Sequence, residues 1–147
     1  ESLTIEAPFG NCTLKLRPGR KIFVAGGTGI SPILALARQA AQEGVDFEAP
    51  VDVIYCARRA ADLAAGDELA AAVGQIRGAR YHPVLEDDPE GRAALTGRAP
   101  DAIAATEFDP AAVEFYVAGP PVMVNAVKAK LKEAGVPITR VHYDSFG

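Results

Sequence analysis

The chain has no tryptophan, a single methionine (Met123), two cysteines and only two histidines in 147 residues. Cys12 and Cys56 are far apart and form no C-x-x-C pair. That excludes an iron–sulfur cluster held by four cysteines of this chain and argues against a zinc site. No apolar stretch approaches the roughly 18 residues that a bilayer-spanning helix needs. No cationic excess is present either: 15 lysines and arginines face 19 carboxylates, for a net charge of −4. A nucleic-acid partner is therefore not expected. No secretory leader is visible, and the cysteine usage fits a reducing, cytoplasmic setting. Because residue 1 is Glu1 and the only methionine is Met123, the chain reads as a fragment, an excised domain or a processed product.

What is present is ordinary globular composition, with 49% hydrophobic and 23% charged residues, enough chain for one domain with a real core. Residues 2–8 and 12–16 alternate apolar and polar, as half-buried strands do, with Gly10-Asn11 as a turn between them. From Lys21 the pattern changes. KIFVA (21–25) is a short continuous apolar run, as in a strand buried on both faces; VDVIYC (51–56) reads as a second buried strand and EFYVA (114–118) as a further one. ARYHPV (79–84) is another strand, with Pro83 suggesting an end or a sheet edge. Between them lie helical patterns. One covers 32–43, with Ser31 as N-cap, Pro32 at the first helical position and Gly44 closing it. Others cover 66–73, about 100–105, and Pro120 to Glu133, with Val122, Met123, Ala126, Val127 and Leu131 as the apolar side of the last. Residues 86–92 read as a polar loop and 139–146 as a last strand and tail.

Strands alternating with helices predict an α/β fold: a parallel sheet between two layers of helices. Ligands in such sheets bind beyond the carboxyl ends of the strands. Two unusual junctions fall there. FVAGGTGISP (23–32) places three glycines in four positions between a strand and a helix, and YVAGPPVMV (116–124) runs a strand into Gly-Pro-Pro and a helix. The first departs from the usual G-x-G-x-x-G, since Pro32 stands where the third glycine belongs. The first 20 residues stand apart from this pattern, as the end of a β-rich domain.

GGTGISP followed some ninety residues later by YVAGPPVMV resembles the ferredoxin–NADP reductase-like superfamily of flavin-dependent electron-transfer enzymes. More narrowly, it is similar to the nicotinamide-binding domain of oxygenase reductase components. APFGNCTL (7–14) is similar to the end of that family's antiparallel flavin-binding barrel. The resemblance implies residues 1–20 as a barrel remnant and 21–147 as the NAD(P)-binding domain. It implies that Gly26, Gly27, Thr28 and Gly29 hold the pyrophosphate, and that Arg58, with Arg59 second, meets the adenosine ribose or its phosphate. Gly119 and Pro120 would lie beside the nicotinamide, with Met123 behind. Phe146 would cover the flavin ring, with Ser145 and Asp144 close to its reactive nitrogen. The implied cofactors are NADH, with NADPH open, and FAD held mainly by an upstream domain. The family's R-x-Y-S/T flavin motif is absent from this chain. The implied partners are that flavin domain and a ferredoxin or oxygenase component as electron acceptor. The same module also occurs in flavohaemoglobins and free flavin reductases, and a non-catalytic dinucleotide-binding domain is the reading from another class. His82 and His142 read as structural, and no metal site is expected.

Overall fold

In a computed structural model of the chain, the residues described are 3–9, 12–16, 19–42, 49–63 and 65–145, with side chains outside the description at 3–9, 12–16 and 28. Two strands, β1 (Leu3–Phe9) and β2 (Cys12–Leu16), pair antiparallel with an irregularity between Glu6 and Phe9. They form a separate two-stranded sheet, and β1 lies against the first helix.

The body is a six-stranded sheet. β3 (Lys21–Gly26) leads through a 3-10 turn (Gly27–Gly29) into α1 (Ile30–Gln42). β4 (Val51–Ala57), α2 (Gly66–Gly74), β5 (Ala79–Leu85), β6 (Leu95–Thr96) and α3 (Ala99–Ala104) follow. The chain ends in β7 (Glu114–Gly119), α4 (Pro121–Glu133) and β8 (Val141–Ser145). The order across the sheet is β6-β5-β4-β3-β7-β8, and every neighbouring pair is parallel.

Alternation along each strand sorts the core into two layers. Phe23, Ala25, Val53, Tyr55 and Tyr116 face one side, where Ile33, Leu36 and Ala37 of α1 and Leu69 and Val73 of α2 cover them. Ile22, Val24, Ile54, Phe115 and Val117 face the other, under Ala102 and Ile103 of α3 and Val124, Val127 and Leu131 of α4. Ile22, Val24, Phe115 and Val117 have no exposed surface at all. Burying each such side chain is worth roughly 1.5–3 kcal/mol. Helices on both faces of a parallel sheet are thus observed.

Several local expectations shift. Ser31 is not the N-cap of α1: the helix already starts at Ile30, continuing the 3-10 turn of Gly27–Gly29. Pro32 remains in the first turn, where its missing N–H leaves no intrahelical bond unmade. On α4 the expected stripe holds at Val127 and Leu131, which are buried, and at Met123 and Ala126, which are half-buried, but not at Val122. Pro120 is the N-cap, so Val124, not Val122, turns inward, and Val122 is 83% exposed. Pro83 lies inside β5 rather than at its end. Its carbonyl accepts from the Ala94 amide on the β6 side. Its ring nitrogen faces that side too, where the partner strand has only two residues, so no ladder bond is lost. The two-residue β6 carries no sequence pattern. The expected helix stop at Gly44 and the Gly10-Asn11 turn lie outside the described residues.

Candidate functional site

The chain leaves β3 towards β4, β5 and β6 on one side, then returns past β3 to β7 and β8 on the other. The reversal therefore lies between β3 and β7, and a crevice opens at their carboxyl ends. The two glycine-bearing junctions both stand there. Gly26 ends β3 and Gly119 ends β7.

The glycines are not equivalent. A Cβ on Gly29 would collide with the Ala118 carbonyl and stand 2.7 Å from the Gly119 nitrogen, so the two loops interlock backbone to backbone. A Cβ on Gly26 would collide with the Met123 sulfur, and one on Gly119 would stand 2.5 Å from Met123 Cε. The thioether is thus seated on both strand ends at once. Gly27 differs. It adopts φ +54, and a Cβ there would meet nothing nearer than Pro120 Cγ at 3.7 Å. Its peptide is the bare one facing the opening. The 3-10 turn and α1 follow directly, so the start of a helix, with its positive dipole end, stands at this opening.

The cleft is about 640 Å³, within the roughly 300–1,000 Å³ usual for small-molecule sites. Gly26, Gly27, Arg58, Pro120 and Met123 line it. Gly29 and Gly119 act behind that surface. The side chain of Thr28 and all of Phe146 lie outside the described residues. Asp144 and Ser145 are brought to the same edge, since β8 pairs them with Ala118 and Gly119.

Other residues of the cleft are silent in the sequence. Asp62 and Glu86 line it, as do Cys56, Arg98 and the exposed Val122. Asp62 accepts the Arg59 amide at 3.2 Å and so shapes the turn after β4. Glu86 lies 3.5 Å from Arg98, and Arg59 lies 3.4 Å from Asp87. Arg58 has no ion-pair partner among the described residues, so it is the uncommitted cation of the cleft. Burial, with Glu86 adding to it, pushes the Cys56 thiol up to about 12, which makes it an inert group rather than a nucleophile. The features present fit a dinucleotide: a bare left-handed peptide at a helix start, a free arginine on the far rim, and a proline-stiffened loop across the crevice.

The two histidines lie at the opposite, amino edge. His82 Nε2 is 2.8 Å from Asp52, and His142 Nε2 is 2.8 Å from Glu114. Asp52 also takes Arg20 at 2.7 Å and Arg80 at 3.1 Å. Burial pushes this carboxyl up, but the hydrogen bonds from His82 and Arg20 and the arginine charges outweigh it, holding it at about 2. Phe23, Tyr116 and His142 stack in a row across three strands, at 4.9 and 4.7 Å. These are fastenings of the sheet, and no cluster able to hold a metal is found among the described residues.

Fold and cleft together define a dinucleotide-binding α/β domain. The family can be stated more closely: residues 23–129 match the oxidoreductase NAD-binding domain, and the chain belongs to that family. It is 37% identical to the ferredoxin–NAD(+) reductase component of the alkene monooxygenase system of Xanthobacter autotrophicus, over 98% of this chain and 44% of that protein. It is 33% identical to the reductase component of propane 2-monooxygenase from Gordonia, over 99% and 43%. Among solved structures, the Amycolatopsis cytochrome P450 reductase is similar with a TM-score of 0.74 and 28% identity, over 87% of this chain and 38% of that one. The chain thus spans less than half the length of the curated relatives it matches.

Proposed function

We propose that this chain holds and orients the nicotinamide dinucleotide in a flavin-dependent reductase, and that the whole protein takes hydride from NADH and feeds electrons to an iron–sulfur protein or an oxygenase component. One observation carries the reading: the GGTG and AGPP loops meet at the reversal between β3 and β7, with the bare Gly27 peptide facing the cleft. Membership of the NAD-binding family and relatives named as monooxygenase reductase components support it.

When bound, the nicotinamide and flavin supply the redox chemistry, and the protein supplies their alignment. Gly26 to Gly29 and the first turn of α1 would receive the pyrophosphate through backbone N–H groups, with Thr28 nearest the flavin side. Arg58 would meet the adenosine ribose. Gly119, Pro120 and Met123 would form the wall beside the nicotinamide ring. Asp144, Ser145 and Phe146 would complete the junction on the flavin side, with Phe146 covering the flavin until the nicotinamide replaces it. Residues 1–20 belong, in this reading, to the end of a flavin-binding barrel, and 21–147 to the dinucleotide domain. The protein would work in the cytoplasm.

NADH is the favoured donor. Asp62 and Glu86 line the cleft with Arg58. A 2′-phosphate would bring further negative charge to a lining in which Arg98 already pairs with Glu86 and only Arg58, beside Asp62, is uncommitted. Titration with NADH and NADPH, read by amide chemical shifts, tests this. Saturable NADH binding that moves Gly26, Gly27 and Arg58, with NADPH about tenfold weaker, is expected. Shifts confined to the amino edge around Asp52 would overturn the assignment. In the flavin-loaded protein, Phe146→Ala should change nicotinamide affinity or the NADH/NADPH preference. Unchanged turnover with both donors would remove Phe146 from the site.

A further inference from the structure

Two sulfur-bearing residues line the dinucleotide cleft, Cys56 and Met123. Their reactivities are opposite. Peroxide oxidises a thiol through its thiolate, and burial, with Glu86 adding to it, denies Cys56 that form. A thioether needs no ionisation, because its sulfur lone pair is nucleophilic at any pH. Met123 is half-buried in the first turn of α4, next to the exposed Val122, and is the chain's only methionine. Its seat leaves no spare room. A Cβ on Gly26 would collide with the Met123 sulfur, and one on Gly119 would stand 2.5 Å from Cε and 3.3 Å from the sulfur. A group as small as a methyl therefore does not fit between the thioether and either strand end. The Cβ on Gly119 would also lie 3.1 Å from the Gly26 carbonyl oxygen, so the two strand ends already touch beneath the side chain. That oxygen accepts hydrogen bonds and offers none.

We propose that Met123 is an oxidation site, converted by hydrogen peroxide to methionine sulfoxide, and that the conversion weakens dinucleotide binding. The proposal rests on the functional reading above and adds a modification that acts on the same cleft. The sulfur lone pair attacks one peroxide oxygen, so that an S–O bond forms and the O–O bond breaks. The departing hydroxide takes the proton from the oxygen now on sulfur and leaves as water. Sulfur loses two electrons and the peroxide gains them. The product carries a polar acceptor on a formerly apolar side chain. Kept in its seat, the new oxygen has neither room nor a donor from the Gly26 carbonyl. Swung outward, it enters the cleft where the nicotinamide end of the dinucleotide is placed, and the side chain no longer covers Gly26 and Gly119. Either arrangement lowers affinity. Reduced flavin that passes electrons to dioxygen generates hydrogen peroxide, so a reductase short of its acceptor would lower its own uptake of NADH.

The test uses the full-length, flavin-loaded protein, treated with hydrogen peroxide and then with catalase to remove it. Peptide-resolved mass spectrometry should find one added oxygen on the Met123 peptide and none on the Cys56 peptide. With menadione as a small acceptor, KM for NADH should rise about tenfold and kcat should change less than about threefold. The calorimetric Kd for ADP-ribose, which lacks the nicotinamide, should rise less. Methionine sulfoxide reductases for both epimers should restore the KM, a reversal that needs no variant. Met123→Leu, from its own starting KM, should show no further rise on the same treatment. A Met123 left unmodified in the native protein at a peroxide dose that oxidises it in urea would overturn the proposal. So would complete oxidation with KM for NADH unchanged, or the same rise in Met123→Leu. Failure of the untreated protein to oxidise NADH with menadione would instead overturn the functional reading itself.

Discussion

Gly29 packs its Cα directly against the backbone of Ala118, so the loop after β3 and the loop after β7 touch with no side chain between them. The atoms in the way of any added Cβ are main chain, which cannot swing aside. Gly29→Ala should therefore destabilise the domain by about 3 kcal/mol, read as a lowered urea midpoint. Gly27→Ala meets Pro120 only at ordinary contact distance and adds a left-handed φ, worth about 1 kcal/mol. It should keep the fold but weaken dinucleotide binding by more than its effect on stability. Equal urea midpoints for Gly29→Ala and the wild type would show that the loops do not interlock.

Met123 bridges the same two loops through its sulfur and terminal methyl. Met123→Ala would leave a gap over Gly26 and Gly119. For this half-buried side chain the expected loss is about 1–2 kcal/mol, with weaker NADH binding. Met123→Leu keeps most of the volume and should cost less than about 1.5 kcal/mol. Calorimetric titration of both variants with NADH and with ADP-ribose separates the effects. A role beside the nicotinamide predicts that NADH binding suffers more than ADP-ribose binding.

Asp52 ties Arg20, Arg80 and His82 together at the amino edge. Its folded value of about 2 lies below the roughly 3.9 of an unfolded aspartate. The stabilisation is therefore fully present above about pH 4 and is lost as pH falls through 2. The difference corresponds to roughly 2.5 kcal/mol. Asp52→Asn should remove that acid-side slope from a plot of unfolding free energy against pH. An unaltered slope would assign acid lability to other carboxylates.

The Cys56 thiol, pushed up to about 12 by burial and Glu86, should resist alkylation. At pH 8 about one molecule in ten thousand carries the reactive thiolate. Peptide-resolved mass spectrometry after iodoacetamide should find Cys56 unmodified in the native protein and modified in urea. Rapid native labelling would mean that the cleft floor opens.

The fold class was legible because strands buried on both faces must be largely apolar, and KIFVA, VDVIYC and EFYVA are short, mostly apolar runs separated by helical patterns. The two glycine junctions were legible because few residues other than glycine allow backbones to meet as Gly29 and Ala118 do. Local sequence did not decide phase and register. Val122 and Val124 are equally apolar, and only the Pro120 N-cap turned Val124 inward and left Val122 at the rim. Asp52 sits within an apolar run, and its partners Arg20, Arg80 and His82 are 28 to 32 residues away. They meet because β4 and β5 pair in one register, Asp52 with Arg80 and Ile54 with His82. The carboxylates of the cleft likewise come from loops after different strands. Composition and periodicity thus determined which segments form the sheet and its helices. Which loops converge, which glycines carry neighbouring atoms and which one faces the cleft followed only from the strand order, because contacts between distant segments are set by the global packing that places β7 beside β3.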